Sequence, residues 1–276
     1  MTINRSLCNQ FANIFGGQSM IVNDTCQVVM YRQIPLKIQG RIADFILSFE
    51  AVFSFGKLDQ HGRALNIGAV GLLPKEVDPF LSSLKRNQIT VSVLSEQWLF
   101  SRPSVHTTYF QSVENPFVFA RKVKEALQTL TVKRLRVPKV DGNSPLCNSF
   151  GKIIGGPSTI INQTCSVRLY RNLPARIQGR KAQFPFMFPA VFFSKEDPKE
   201  GFINIGLIGV LQSEVNPFVS SLRHNGILVG VLTNHWLFNR PKIHYIRIQS
   251  TQPPLLFAQG VRKALHTLKF QQFISF

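Results

Sequence analysis

Three side chains in a row, Thr233-Asn234-His235, close a β-branched run just before Trp236-Leu237-Phe238, and Ser95-Glu96-Gln97 stand at the same place before Trp98-Leu99-Phe100. A hydroxyl, an amide and an imidazole at one strand end can hold a small polar group, and the imidazole can carry a proton near neutral pH. Glu76 and Glu214 precede two helix starts and add one carboxylate per copy. Such a carboxylate can act as a general base or, more cheaply, sit favourably at a helix N-terminus. His106 and His244 recur on the next strand without a Cys or acidic neighbour at ligand spacing, which reads as structural. No Ser, His and Asp pattern builds a nucleophile with its base. Gly16-Gly17 ends a helix, and no Gly-Lys-Ser/Thr follows to make a phosphate loop.

These candidates are positioned by a duplicated unit. Residues 66–100, NIGAVGLLPKEVDPFLSSLKRNQITVSVLSEQWLF, return at 204–238 as NIGLIGVLQSEVNPFVSSLRHNGILVGVLTNHWLF. Each copy reads as strand, amphipathic helix, strand, then a turn at Arg102-Pro103 or Arg240-Pro241 into a third strand and a last helix after Asn115-Pro116 or its equivalent. The middle helix is predicted to start on Asp78 or Asn216 as N-cap and to end at Asn87 or at Asn225-Gly226. Upstream lie an N-terminal helix over 7–15 or 146–154, a pair of alternating strands and a Phe-rich strand at 45–55 or 184–194, whose spacing suits a buried sheet. A loop of differing length, GKLDQHGRA or KEDPKEG, reads as a surface hairpin. The expectation is an α+β protein of two domains, 1–138 and 139–276. Each is a ferredoxin-like βαββα-containing unit with an additional N-terminal helix and antiparallel strands, arranged about a pseudo-twofold axis. A strand from 131–137 or 268–274 would complete the ferredoxin-like sheet.

Thirty-two Lys and Arg against 14 Asp and Glu give a net charge of +18. Cut at Pro138, the first part carries 16 basic and 9 acidic side chains and the second 16 and 5, so the excess is spread over both copies. Such a field draws polyanions such as nucleic acid, anionic lipid or an anionic wall polymer, or serves solubility alone. Lys133, Arg134 and Arg136 in the basic joining segment are the candidate polyanion contacts. An aromatic stacking platform for nucleic acid is not evident. Charged residues at 17% and aromatics at 11% exclude wholesale disorder. No run of about 18 apolar residues calls for a transmembrane helix, and the N-terminus lacks a secretory pattern, so a cytoplasmic product is expected. Cys8 and Cys26, like Cys147 and Cys165, are 18 positions apart, which brings each pair together in space. A reducing compartment favours thiols there, and secretion favours disulfides.

The runs GVLQSEVNPFVSSLRHNGILVGVLTNHWLF and FAQGVRKAL resemble the LppY/LpqO-type bacterial family of unknown function, once per copy and over nearly the whole chain. The resemblance implies an acidic residue after the strand glycine, a His-Asn-His run ending the second strand and a His on the third, a set suited to a divalent metal. Here Ala69 and Leu207 take the acidic position, Tyr109 and Arg247 the third-strand one, and of the His-Asn-His run only Asn234 and His235 are present. That departure implies no metal and no cofactor. The expectation is a non-catalytic basic binding or scaffolding protein with a decayed metal-type site. The alternatives are an enzyme or small-anion binder using Thr233, Asn234, His235 and Arg247 in the second repeat, and sequence-independent nucleic-acid binding.

Overall fold

The computed structural model describes residues 3–269 and 271–275. The first copy contributes α1 (Arg5–Phe15), β1 (Ser19–Val22), β2 (Thr25–Arg32), β3 (Glu50–Phe55), β4 (Ala64–Leu72), α2 (Val77–Arg86), β5 (Thr90–Glu96), β6 (His106–Glu114), α3 (Pro116–Leu127) and β7 (Leu135–Arg136). The second contributes β8 (Val140–Gly142), α4 (Pro145–Ile154), β9 (Ser158–Ile161), β10 (Thr164–Arg171), β11 (Pro189–Asp197), β12 (Gly201–Leu211), α5 (Val215–His224), β13 (Leu228–Thr233), β14 (Ile243–Ser250), α6 (Pro254–Leu265) and β15 (Phe273–Ser275). Short strands at 37–38, 41–42 and 101–102, and at 176–177, 180–181 and 239–240, form a small side sheet in each copy.

Two antiparallel main sheets result. The first runs β1-β2-β3-β4-β6-β5, with β7 added to β2; the second runs β8-β9-β10-β11-β12-β14-β13, with β15 added to β10. The split βαβ order is present in β4-β6-β5 and β12-β14-β13. The strand expected to complete it goes elsewhere: the tails at β7 and β15 pair with β2 and β10, while β3 and β11 lie beside β4 and β12. A hairpin partner immediately upstream in sequence takes the position at little loop-closure cost, leaving the tail an outer edge.

The sheets pack face to face with their helices outside. Alternation along β4 and β6 sends Val70 and Phe110 to the helices and Ala69 and Tyr109 to the opposite sheet. One core therefore lies between sheet and helices in each copy. A third core joins Phe49, Ile67 and Trp98 of the first copy to Phe188, Ile205 and Trp236 of the second. The hairpin loops also reach across. Asp59 accepts a hydrogen bond from Arg180 Nη2 at 2.7 Å, and Asp197 from the Ile42 amide at 2.8 Å, so these surface hairpins each send one carboxylate into the junction.

Local signals set the helix ends, with three revisions. Asn4 Oδ1 accepts from the Leu7 amide at 2.8 Å and Gly16 ends α1 at φ 74°, as the glycine pair predicts. Asp78 and Asn216 do not cap α2 and α5: a 3₁₀ turn leads into each helix, and its Glu76 or Glu214 side chain accepts from the Leu73 or Leu211 amide. At the end of α2 the left-handed residue is Gln88 (φ 57°), not Asn87 (φ −84°), while Gly226 fills that role in the second copy. The cysteines form disulfides, Cys8–Cys26 and Cys147–Cys165, each with Cα atoms 5.4 Å apart and pinning the N-terminal helix to the second strand. The thiol expectation for a reducing compartment is thereby replaced.

Candidate functional site

Glu76 and Glu214 stand apart from the other candidates. Glu76 takes a two-pronged contact from Arg32 (2.8 and 2.6 Å) and accepts from the Thr131 amide at 2.8 Å, while Arg32 also donates to the Gly71 carbonyl. Glu214 repeats this with Arg171 (2.9 and 2.8 Å) and the Lys269 amide. Burial raises the Glu76 pKa, but the hydrogen bonds from Arg32, Thr131 and Leu73 outweigh it and bring it to about 2. Both carboxylates lock the end of β2 or β10 to the turn before a helix. Each is paired with an arginine of its own copy, and neither lines the cavity between the sheets.

The strand-end residues divide. Asn234 and Glu96 are exposed, Thr233 and Ser95 are half-buried, and Gln97 and His235 are buried. Glu96 accepts from Ser104 Oγ, and Gln97 donates to Ser95. Lys133, Arg134 and Arg136 are all exposed. Thus, of the three consecutive residues 233–235, one side chain enters the interior.

That entry is built by both copies. A bulge in β5 frees Ser92, whose single hydroxyl proton lies within reach of both the Tyr109 and the His235 carbonyls. Gln111 on β6 accepts from the Leu237 amide at 3.1 Å and donates to the Leu237 carbonyl at 3.2 Å. Gln249 on β14 does the same for Leu99, at 2.9 and 3.0 Å. Each Trp-Leu-Phe turn is therefore held by the opposite copy. The His235 ring is sandwiched between Tyr109 and Tyr245, with ring centroids 3.6 Å away on either side. Burial, helped by the Arg247 charge, lowers its pKa well below the usual value, so the imidazole is neutral.

Beside it, Arg247 Nη2 donates to Glu50 Oε1 at 2.7 Å and to the Tyr109 hydroxyl at 2.9 Å, and its guanidinium lies over Trp98. Burial opposes the arginine's charge, but Tyr109 and Glu50 reverse this and raise its pKa. Burial likewise pushes the Tyr109 and Tyr245 hydroxyls up, keeping both protonated. The Tyr245 hydroxyl accepts from Trp236 Nε1 and donates to the Met187 carbonyl, both at 2.9 Å. In the first copy Thr107 stands where Tyr245 does, and among the described residues Trp98 Nε1 has no hydrogen-bond partner; nor do Arg247 Nε and Nη1.

Between the sheets lies a partly open cavity of about 110 Å³. Its walls are apolar, with Val29, Val52, Val191 and Phe193 among them, and its polar groups are Gln27, Glu50, Tyr109, Arg168 and His235. Ala69 and Leu207 also line it. Of the positions that the family resemblance singled out, Ala69, Leu207, Tyr109 and His235 therefore converge, from both copies, on one place, with Arg247 beside it and Asn234 exposed. Their side chains do not suit a divalent cation: an alanine, a leucine, a tyrosine and an arginine surround one neutral histidine and a carboxylate already paired with Arg247. Among the described residues, no group of three His, Cys, Asp or Glu side chains is placed to hold a metal ion.

Sequence reasoning missed Glu50, Tyr245, Gln111 and Gln249. Glu50 carried a signal, as a lone carboxylate inside FILSFEAVFSF. The two glutamines carried one only in their recurrence at equivalent positions.

Fold and site define a duplicated α+β protein with a cavity between its sheets that both halves line. The chain belongs to the family described as Domain of Unknown Function (DUF1259), whose model matches it twice, over residues 9–129 and 148–267. No curated protein and no solved structure matches it.

Proposed function

We propose that this is a non-catalytic binding protein that takes a small, largely apolar molecule with one hydrogen-bonding group into the cavity between its sheets. The observation that carries the reading is the pairing of Arg247 with Glu50 at the point where both copies converge. This pairing compensates Arg247, the cation that a small-anion pocket in the second repeat would use, and leaves Arg168 as the other cationic side chain on the wall. The cavity also requires Glu50 and Tyr109 of the first repeat, so a pocket of the second repeat alone does not fit. What is left is a mostly apolar chamber with a neutral imidazole, a compensated carboxylate and the Arg168 guanidinium, which suits orientation of one polar group more than bond cleavage. An apolar cavity of ~150 Å³ holds benzene, so this partly open one, about 110 Å³, matches a guest of about one aromatic ring.

The likeness to the LppY/LpqO-type family supports descent from a metal-type site whose ligands were replaced. The two disulfides favour work in an oxidising compartment over the cytoplasm. No helix among the described residues is long and apolar enough to cross a membrane.

The test tracks the fluorescence of Trp98 and Trp236 during titration with phenol, benzyl alcohol and benzoate. Saturable binding of the neutral probes, lost when Ala69→Leu fills the cavity, is the expected result. Selective binding of benzoate would overturn it in favour of an anion site. A second reading, weak attraction of polyanions, is favoured by the exposed Lys133, Arg134 and Arg136, and a steep loss of binding with salt would mark it.

A further inference from the structure

The two Trp-Leu-Phe turns hide their tryptophans and display the leucine and phenylalanine next in the chain. Trp98 and Trp236 are each 2% exposed, whereas Phe100 and Phe238 are 72% and 73% exposed, with Leu99 and Leu237 exposed beside them. Both phenylalanines sit in the left-handed region, at φ 56° and 57°, where a bulky side chain is disfavoured. Their conformation is fixed from behind. The Phe100 and Phe238 carbonyls accept from the Gln39 and Gln178 amides, and the preceding leucines are clamped by Gln249 and Gln111 of the opposite copy. Each turn thus crosses the edge of the sandwich formed by β5 and β13, Leu237 reaching the start of β5 and Leu99 the start of β13, so the two phenylalanines stand toward opposite ends of that edge.

The side sheets immediately after these turns are cationic. Lys37 pairs with Arg102 across one, and Arg176 pairs with both Arg240 and Lys181 across the other. All five side chains are exposed, and among the described residues none lies within ion-pairing distance of a carboxylate.

We propose that this edge docks on the surface of an anionic lipid bilayer, with Phe100 and Phe238 entering the headgroup–acyl boundary and the flanking lysines and arginines meeting lipid phosphates. The charge half rests on the polyanion reading above. The apolar half is what selects a bilayer, because exposed leucine and phenylalanine together gain from burial in acyl chains, whereas leucine offers a nucleobase no stacking face. Two anchoring points spaced along one edge also suit an extended partner.

The experiment is sedimentation of the full-length protein with vesicles of phosphatidylglycerol and phosphatidylcholine, or of phosphatidylcholine alone, beside retention on duplex DNA at matched salt. The key variant is Phe100→Asn/Phe238→Asn, since asparagine tolerates the left-handed backbone and leaves the net charge unchanged. Thermal denaturation checks that it folds. The expected result is binding to the anionic vesicles only, weakened by salt and lowered roughly tenfold or more in the double variant, with DNA retention unaltered. Vesicle binding insensitive to the two phenylalanines, with polyanion binding intact, would overturn this proposal and leave the polyanion reading standing. Failure to bind either anionic vesicles or DNA at low salt would overturn both. Loss of DNA retention in parallel with vesicle binding would assign the edge to nucleic acid instead.

Discussion

The His235 ring lies flat against Tyr109, centroids 3.6 Å apart, so a side chain of the second copy is stacked on one of the first. Tyr245 covers its other face. At the related place in the first copy, Gln97 has neither neighbour, because Thr107 and Arg247 stand where Tyr245 and Tyr109 do. The centre is therefore where the duplicated sequence stops behaving as a symmetric pair, and it does so with complementary changes: a tyrosine on one side, an arginine on the other, and a hydrogen bond between them.

His235 is expected to make stability depend on pH in a window set by its depressed pKa. The unfolded imidazole titrates near 6.5, and the buried one binds a proton only at much lower pH. Its contribution is then fully present above about pH 6.5 and is lost as pH falls below that value toward the folded pKa. The melting temperature should be flat from pH 8 to 7 and decline below 6.5, and His235→Gln should flatten that decline. An equal slope in the variant would show that the histidine is not the group responsible.

Arg247 and Glu50 are expected to act as one unit. Removing one member of a buried pair strands the other, at a cost of about 3–5 kcal/mol, whereas removing both for apolar groups costs much less than the sum. Arg247→Met and Glu50→Leu should each lower the urea midpoint strongly, with the double variant recovering much of the loss. Additive losses in the double-mutant cycle would show that the contact carries little coupling.

Glu76 supplies a separate acid transition. Its pKa is about 2 against an ordinary 4.5, so its stabilisation is present above pH 4.5 and is lost as pH falls toward 2. Glu76→Gln should remove part of the acid sensitivity below pH 4.5 without touching the slope between 6.5 and 5. A change in the upper window instead would mean that the two titrations are linked.

What the sequence made legible was whatever depends on local chemistry. The repeat, the helix ends at Gly16 and Asn115, and the inward Phe runs follow from periodicity and capping, which act over a few residues. The strand neighbours of β4 and β12 were misassigned because pairing between antiparallel strands is settled by loop closure and burial, which no local pattern records. The site was half legible. His235 could be picked out by comparing the two copies, and Tyr109 and Arg247 by the family resemblance, but their convergence depends on one copy's turn reaching the other's third strand, through Gln111 and Gln249. Glu76 and Glu214 looked functional in sequence for the same reason that they are buried: a carboxylate before a helix must find donors, and here the donors are Arg32 and Arg171.

Separating the copies tests the architecture most directly. We propose a cut after Pro138, with β7 added to the first sheet before it and β8 to the second after it. A fragment of residues 1–138 would expose Phe45, Leu65, Ile67, Ala69 and Tyr109, all buried in the intact chain against the other half. An apolar sheet face of that kind is not sustained in water by a monomer. The fragment would also lose the clamps from Gln249 on Leu99 and from Arg180 on Asp59, leaving its turn and hairpin unanchored. The expected outcome is that residues 1–138 alone self-associate or precipitate, and that co-expression with residues 139–276 restores a soluble one-to-one complex with native near-ultraviolet dichroism from Trp98 and Trp236. Light scattering coupled to size exclusion distinguishes the cases. A dispersed monomer with a cooperative melt would show that each copy folds without the central core, and that the contact between the sheets is an association of two finished domains.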